Sequence, residues 1–272
     1  MDGAAAIPDP WVEWLRHNRD RGCARDELIS RALARGYNRS AIEAVLDETA
    51  ADAPVTDAAD PWAGWSVPPL ISAEHRPRAW RLDTPLAQVY ELPGLLDCGE
   101  CAEVIAAINS ALQPSTVTRG RSDYRTSRTC HLRQDHPDLA RRLDQRFAAL
   151  LGVDPGLSEP IQGQRYDPGE YFKEHTDWFA PGTKEFATHT ASGGQRTWTV
   201  MVYLNGVERG GETCFRRLGR CFTPIPGLAL AWNNLNADGT PNPFTLHEAM
   251  PVELGSKWVI TKWFREKPGR ND

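Results

Sequence analysis

The chain has 272 residues, 40% of them hydrophobic, and a formal net charge of −5 from 31 basic and 36 acidic side chains. This length and composition can bury the core of one large domain, or of a large and a small one. Charges of both signs are interspersed without a basic run, which excludes the pattern typical of a nucleic-acid-binding protein.

Residues 1–55 are predicted to form a small helical unit. Asp9 can cap a first helix, a second carries Leu28 and Ile29, and a capping box of Ser40 and Glu43 opens a third. So small a core is marginal alone. The unit therefore either docks on the rest of the protein or binds a partner.

Residues 56–84 are predicted to be a connector, because they are rich in Pro and Ala. Three tryptophans, Trp62, Trp65 and Trp80, are unusual in a free linker. Tryptophan is mostly buried in proteins, so we expect part of the connector to lie against the domain that follows.

Residues 85–267 are predicted to form a mainly β domain with flanking helices. One helix begins at a capping pair, Asp97 and Glu100, and another follows Pro137, each with one apolar face. After residue 160 the chain alternates short β-branched or apolar runs with Gly and Pro turns. Many short antiparallel strands of this kind favour a jelly roll.

Six cysteines are too sparse for a disulfide framework, and the first residues lack the pattern of a secretory signal. We therefore predict a reduced, cytoplasmic setting. Cys98 and Cys101 form a CxxC pair, but Cys101 falls on an apolar helical stripe, which favours a core residue over a redox centre. There is no run of 18 apolar residues, so no membrane helix is predicted.

A His-x-Asp triplet, His175 and Asp177, is the strongest chemical signal. Residues two apart on a strand share one face, so both side chains are expected to point into one interior. They make two thirds of a 2-His-1-carboxylate triad, for which His247 is the third candidate. Lys257 follows after a Gly255-Ser256 turn signal, and a hairpin there would bring its ammonium beside the metal.

Taken together and in order, these motifs carry a family resemblance. Tyr166, the His-x-Asp triplet, Gly210-Gly211-Glu212-Thr213 and the pair His247 and Lys257 resemble the prolyl 4-hydroxylase branch of the Fe(II)/2-oxoglutarate dioxygenases, from about residue 85 to 266. The resemblance implies a double-stranded β-helix (jelly-roll) core, and it implies Fe(II), 2-oxoglutarate and L-ascorbate as cofactors. The implied site residues are His175, Asp177 and His247 on iron, Lys257 on the 2-oxoglutarate 5-carboxylate, and Tyr166 and Thr213 assisting Lys257.

Arg196 and Trp263 match family positions on the substrate side of the iron, and the segment around Arg125 is comparable to one that borders the active site in the relatives. For each a structural alternative stays open: a solvated loop for Arg125, a surface cation for Arg196 and a buried strand residue for Trp263. Phe172 stands where the relatives tend to have tyrosine, which puts the substrate in question more than the reaction.

Three classes of function follow. The motifs favour a hydroxylase of prolyl residues in a protein or peptide, releasing succinate and CO₂. A hydroxylase of a free amino acid or another small molecule would share every cofactor residue. A non-catalytic metal-binding β-sandwich is the third class, against which Asp177 and Lys257 argue, because a structural metal site needs neither open positions nor a distant lysine. No nucleic-acid or membrane partner is predicted.

Overall fold

The computed structural model describes residues 7, 12, 15, 16, 19, 25–34, 37–47, 79–114 and 125–269. The chain divides into two compact units, Met1–Ala58 and Ala59–Asp272. The predicted cap at Asp9 and the connector residues Trp62 and Trp65 lie outside the described residues. Among those that are described, no helix is long and apolar enough to cross a membrane.

The smaller unit contains helices α1 (Arg25–Ala34) and α2 (Arg39–Asp47). Its apolar side chains share one buried cluster, made of Leu15, Leu28, Ile29, Ala32, Ile42, Val45 and Leu46. The predicted cap is wrong by two residues, because the side chain of Asn38 accepts a hydrogen bond from Ser40 N at 2.8 Å. Glu43 instead pairs with Arg39, one helical turn away on the exposed face.

The larger unit is built on antiparallel sheets, as a jelly roll requires. The eight-stranded sheet contains, from edge to edge, β1 (Trp80–Arg81), β2 (Val89–Leu92), β11 (Ala229–Asn233), β7 (Arg196–Tyr203), β14 (Lys257–Arg265), β5 (Gln162–Tyr166), β4 (Arg128–His131) and β3 (Gln113–Pro114). A four-stranded sheet contains β10 (Arg220–Phe222), β9 (Thr213–Phe215), β12 (His247–Ala249) and β6 (Phe172–His175). A third sheet pairs β13 (Val252–Leu254) with β8 (Arg209–Gly210).

Among the described residues of this unit, four α-helices accompany these sheets: α3 (Cys98–Asn109), α4 (Leu132–Asp135), α5 (Pro137–Leu151) and α6 (Lys184–Thr190). The predicted capping box is confirmed, since Asp97 accepts from Glu100 N and Glu100 accepts from Asp97 N. Cys101 is buried, as predicted for a core residue, and burial raises the pKa of its thiol to about 11. A thiol with so high a pKa is a poor nucleophile.

Strand alternation separates two apolar cores. On β7, Val200 and Val202 join the core under α3 and α5, whereas Met201 and Tyr203 join the core toward the smaller sheet. A side chain is excluded at Gly163 on β5, because a Cβ there would lie 2.5 Å from Ile108 of α3. The central strands are thus covered on both faces, which is why their sequences show little alternation of polar and apolar residues.

Two features of the smaller sheets differ from expectation. The strands that flank Gly255 do not form a hairpin: β13 pairs with β8, while β14 pairs with β5 and β7. Gly255, with φ of 87°, therefore carries the chain from one sheet to another. Cys214 and Cys221 are opposite each other in β9 and β10 and form a disulfide, which the sparse cysteine pattern did not predict.

Candidate active site

The three predicted metal ligands lie together. His175 ends β6, His247 begins β12, and these two residues are direct cross-strand partners. One potential ligand atom from each of His175, Asp177 and His247 lies within 4.8 Å of the others. The convergence of residues 72 positions apart in the chain therefore comes from the pairing of β6 with β12.

Asp177 reaches this point in a different way from the one predicted. The strand β6 ends at His175, so strand alternation does not extend to Asp177. A bend follows the strand. The side chain of Gln195 holds this segment in place, because it accepts a hydrogen bond from Phe179 N and donates one to Phe179 O, both at 2.8 Å. The carboxylate itself accepts a hydrogen bond from the Thr199 hydroxyl at 2.7 Å.

The hydrogen bonds of the two histidines leave one ring nitrogen of each available to a metal. Nδ1 of His175 lies 2.8 Å from the carbonyl oxygen of Lys173, and Nδ1 of His247 lies 2.9 Å from that of Thr245. A carbonyl only accepts, so each Nδ1 carries the proton and each Nε2 has a free lone pair. Such backbone bonds to the second nitrogen are the usual way in which metal-ligating imidazoles are oriented.

The electrostatics of the site suit a divalent cation. Burial, together with the neighbouring His247, lowers the pKa of His175 to about 3, so its ring is neutral. Burial alone would raise the pKa of Asp177, but His247, His175, Arg196 and the Thr199 hydroxyl hold it below its ordinary value. Two neutral imidazoles and an ionised carboxylate are the donor set that Fe(II) takes in a facial triad.

Lys257 is fully buried at the start of β14, opposite Tyr166 of β5. Its Nζ donates to Thr213 Oγ1 at 3.5 Å and lies 5.1 Å and 5.5 Å from the ring centroids of Tyr166 and Tyr203. Burial lowers the pKa of Lys257 to about 7. A buried ammonium held by one hydroxyl and two aromatic faces is poised to receive an anion.

One cavity of about 420 Å³, open solvent at its mouth included, connects the triad to Lys257. Its floor follows the inward face of β14 through Lys257, Val259, Thr261 and Trp263. At the strand rise per residue, Lys257 and Trp263 lie roughly 20 Å apart along this row. The cavity therefore has a lysine end and a tryptophan end.

Arg125 joins the cavity wall beside the tryptophan end. It donates to Gln162 Oε1 and to Ser127 Oγ, both at 3.0 Å, and Gln162 is the cross-strand partner of Thr261. Burial lowers the pKa of the guanidinium. The solvated-loop alternative is therefore wrong for Arg125, whose side chain faces the same cavity as the triad.

Phe172 occupies the position where the family resemblance leads us to expect a tyrosine. Its ring stacks on the His175 imidazole, with centroids 3.6 Å apart and planes inclined by 14°. The Cζ atom of Arg125 lies 4.8 Å from the centroid of the Phe172 ring. The Phe172 ring thus contacts both a proposed metal ligand and a cavity cation. A hydroxyl at this position is absent, so any contact with substrate here is apolar.

Arg196 is paired with a partly buried acid, Glu159. Its Nε and Nη2 donate to the two carboxylate oxygens of Glu159 at 2.6 Å and 2.7 Å, and its Cζ lies 4.1 Å above the Trp263 ring. Arg265 donates to the same carboxylate at 2.7 Å. Nη1 of Arg196 also lies 3.4 Å from the backbone oxygen of Asp177. The ion-pair group of Arg196, Glu159 and Arg265 therefore supports the metal site from outside the cavity. The predicted substrate role of Arg196 stays a prediction.

Replacing Glu159 by alanine should lower the free energy of unfolding by up to about 3–5 kcal/mol, because two guanidinium groups would lose a partly buried carboxylate partner. Denaturant unfolding of the full chain measures this change. Glu103→Ala is the matched control, since Glu103 also accepts two hydrogen bonds from one arginine, Arg142, but does so on the exposed surface. Equal losses from the two variants would contradict the structural role of Glu159.

Sequence reasoning did not identify Glu159, Gln195, Thr199 or Asn234, although each supports the site. Thr199 and Asn234 are completely buried, and Asn234 donates to the Thr199 hydroxyl oxygen at 2.9 Å. A threonine in a β-branched strand and an asparagine after a strand are ordinary residues in those places. Only their proximity to Asp177 in space distinguishes them.

Comparison with known proteins agrees with this geometry. Residues 161–265 match the 2OG-Fe(II) oxygenase superfamily. A candidate prolyl 4-hydroxylase of Acanthamoeba polyphaga mimivirus is 31% identical over 188 residues, which are 68% of this chain and 77% of the viral protein. Prolyl 4-hydroxylase subunit alpha-2 of Caenorhabditis elegans is 37% identical over 144 residues, covering 53% of this chain but only 26% of that subunit.

A solved structure supports the fold. The viral collagen prolyl hydroxylase of Paramecium Bursaria Chlorella virus-1, in its 2-oxoglutarate complex, matches with a TM-score of 0.53 and 23% identity, covering 65% of this chain and 95% of the viral one. The predicted jelly-roll fold is thereby confirmed. The chain belongs to the prolyl 4-hydroxylase family of the 2-oxoglutarate/Fe(II) oxygenases and is a dioxygenase that uses Fe(II) and 2-oxoglutarate.

Proposed function

We propose that this protein hydroxylates prolyl residues in a protein or peptide, with 2-oxoglutarate and O₂ as co-substrates and succinate and CO₂ as by-products. The observation that carries the proposal is the single cavity shared by the His175, Asp177 and His247 cluster and the buried Lys257. A structural metal site would need no such lysine.

Each wall of the cavity has its own task in this proposal. Lys257 and Thr213 bind the distal carboxylate of 2-oxoglutarate, with the Tyr166 ring beneath the ammonium. His175, Asp177 and His247 hold Fe(II), which together with 2-oxoglutarate and O₂ supplies the oxidation of a C–H bond. The backbone carbonyls of Lys173 and Thr245 keep the histidines in the tautomer that binds a metal, and the surrounding side chains exclude water.

The tryptophan end of the cavity is the proposed substrate end. Trp263 offers an aromatic surface, Phe172 an apolar one, and Arg125 a cation that can contact a carbonyl or carboxylate of the substrate. A prolyl ring and its flanking peptide carbonyls fit this mixture. The relatives named as prolyl hydroxylases favour the same substrate class. A free amino acid or other small molecule is the alternative that the test below separates.

Four further features belong to the proposal. L-Ascorbate is expected to sustain activity over many turnovers, and the expected location is cytoplasmic. The unit at residues 1–55 is expected to bind a partner or dock on the catalytic domain, residues 85–267, which holds all the proposed site residues. Residues 56–84 are the proposed connector.

The test is mass spectrometry after incubation of the full chain with Fe(II), 2-oxoglutarate, ascorbate and a proline-containing peptide. We expect the mass of one oxygen atom to be added to the peptide, and none to a matched peptide in which alanine replaces proline. Asp177→Ala, in which one proposed ligand is missing, should give no product. Oxygen added to free proline or another small molecule, with none on any peptide, would transfer the assignment to the small-molecule class.

A further inference from the structure

Two buried polar side chains stand behind Asp177. Thr199 lies on β7, and Asn234 directly follows β11, the neighbouring strand. The Thr199 hydroxyl lies 2.7 Å from Asp177 Oδ2, and the Asn234 amide nitrogen lies 2.9 Å from the Thr199 hydroxyl oxygen. The Asn234 backbone is fixed on both sides, since its N–H donates to Thr197 O and its carbonyl accepts from Asn242 N.

The direction of these hydrogen bonds follows from the chemistry of the groups. An ionised carboxylate only accepts hydrogen bonds, so the Thr199 hydroxyl uses its single proton to donate a hydrogen bond to Asp177. The Thr199 oxygen must then accept from Asn234, and only the NH₂ half of the amide can donate. This requirement fixes the orientation of the Asn234 amide independently of how its oxygen and nitrogen were assigned.

That orientation has a cost. The amide oxygen of Asn234 is buried without a hydrogen-bond partner among the described residues. Buried polar atoms are nearly always satisfied, and the exceptions call for an explanation. A turned amide would relieve nothing, because its oxygen would compete with Asp177 for the Thr199 proton. The unsatisfied oxygen is thus the consequence of using the NH₂ half to orient Thr199.

We propose that Asn234 is a positioning residue for the metal, acting through Thr199 on Asp177. Asn234 directs the hydrogen bond of the Thr199 hydroxyl to Oδ2 of Asp177. This leaves Oδ1 of Asp177 as the oxygen that faces the metal. A carboxylate that binds through one oxygen occupies one coordination position and keeps the others open for co-substrate and O₂. The inference rests on the proposed function in one respect, the assignment of Asp177 as a ligand.

Direct metal binding tests the inference without reference to turnover. The full chain is freed of metal and titrated with Mn(II), whose free ion is followed by electron paramagnetic resonance. Asn234→Ala should weaken Mn(II) binding by about 10- to 100-fold, the usual loss when a group that orients a ligand is removed. Asn233→Ala is the matched control: Asn233 is equally buried but bonds to Gln88 Oε1 and Leu235 N, so it should bind Mn(II) as the wild type does.

A double-mutant cycle separates positioning from a general loss of packing. Thr199→Val keeps the shape of the side chain but removes the hydroxyl, and it should weaken Mn(II) binding by itself. If Asn234 acts through Thr199, then Asn234→Ala has no further effect in the Thr199→Val background. Thr199→Ser keeps the hydroxyl and should retain most of the affinity. Additive losses in the cycle, or unchanged Mn(II) affinity in folded Asn234→Ala, would overturn the proposal.

Three additional variants keep the test decisive. If Asn234→Ala does not fold, Asn234→Asp keeps the shape but cannot donate to Thr199, and Asn233→Asp controls for the added charge; equal Mn(II) affinities of these two would overturn the proposal. Asp177→Ala tests the ligand assignment separately. If wild-type protein binds one Mn(II) and Asp177→Ala does not, an unchanged affinity in the Asn234 variants refutes the positioning role alone.

Discussion

Replacement of His175 by alanine is expected to abolish turnover and to weaken metal binding by roughly two orders of magnitude. A structural zinc site with four protein ligands has a metal-binding free energy of about 10–16 kcal/mol, which is roughly 3 kcal/mol for each ligand. His175 offers Nε2 to the metal because its Nδ1 is held by the carbonyl of Lys173. Metal titration and succinate release both measure the result.

The control for this variant is His131→Ala, because His131 is exposed at the end of β4 and takes no part in the cluster of potential ligands. It should bind metal and turn over as the wild type does. Stoichiometric metal binding by His175→Ala, together with wild-type succinate release, would refute the assignment of His175 as a ligand.

Replacement of Lys257 by methionine is expected to raise the KM for 2-oxoglutarate by roughly 30- to 5000-fold, the equivalent of about 2–5 kcal/mol for a buried carboxylate that loses its cation. Lys262→Met is the matched control. Lys262 is equally buried on the same strand, but it faces α5 and donates to Asp144 Oδ1 at 2.6 Å. The Lys262→Met variant should therefore have a lower melting temperature and an unchanged KM for 2-oxoglutarate.

Lys257 also predicts the pH dependence of co-substrate binding. Burial sets its pKa at about 7 in the free protein, and an adjacent carboxylate favours the charged form, so binding raises this pKa. Above pH 7 the complex must take up a proton, and the apparent Kd for 2-oxoglutarate should rise with pH; below pH 7 it should be flat. Calorimetry in buffers of different ionisation enthalpy detects the proton, and Lys257→Met should remove the dependence above pH 7.

The chemistry of the site could be predicted because it is written in short, ordered motifs. His175, Asp177, His247 and Lys257 are each identified by residue type and spacing, and the structure places all four around one cavity. The strands and both long helices were predictable for a similar reason, since periodicity is a local property of the chain. Asp97 and Glu100, three positions apart, predict a helix start from four residues alone.

What could not be predicted depends on contacts between distant parts of the chain. Asp177 lies beyond the end of its strand, and its position is fixed by Gln195 and Thr199, about 20 positions away. The residues around Gly255 give a turn signal, but no local pattern states that the two flanking strands join different sheets. Glu159 is a lone acid in the sequence and becomes informative only when two arginines converge on it.

The disulfide between Cys214 and Cys221 has a practical consequence for any assay of this enzyme. It fastens β10, the outermost strand of the smaller sheet, to β9, and β9 begins with Thr213, the residue that contacts Lys257. Ascorbate and thiol reagents are both reductants, but only thiol exchange opens a disulfide bond. The choice between them in the reaction mixture therefore decides whether the edge of the sheet next to the 2-oxoglutarate end of the cavity is covalently closed or held by hydrogen bonds alone.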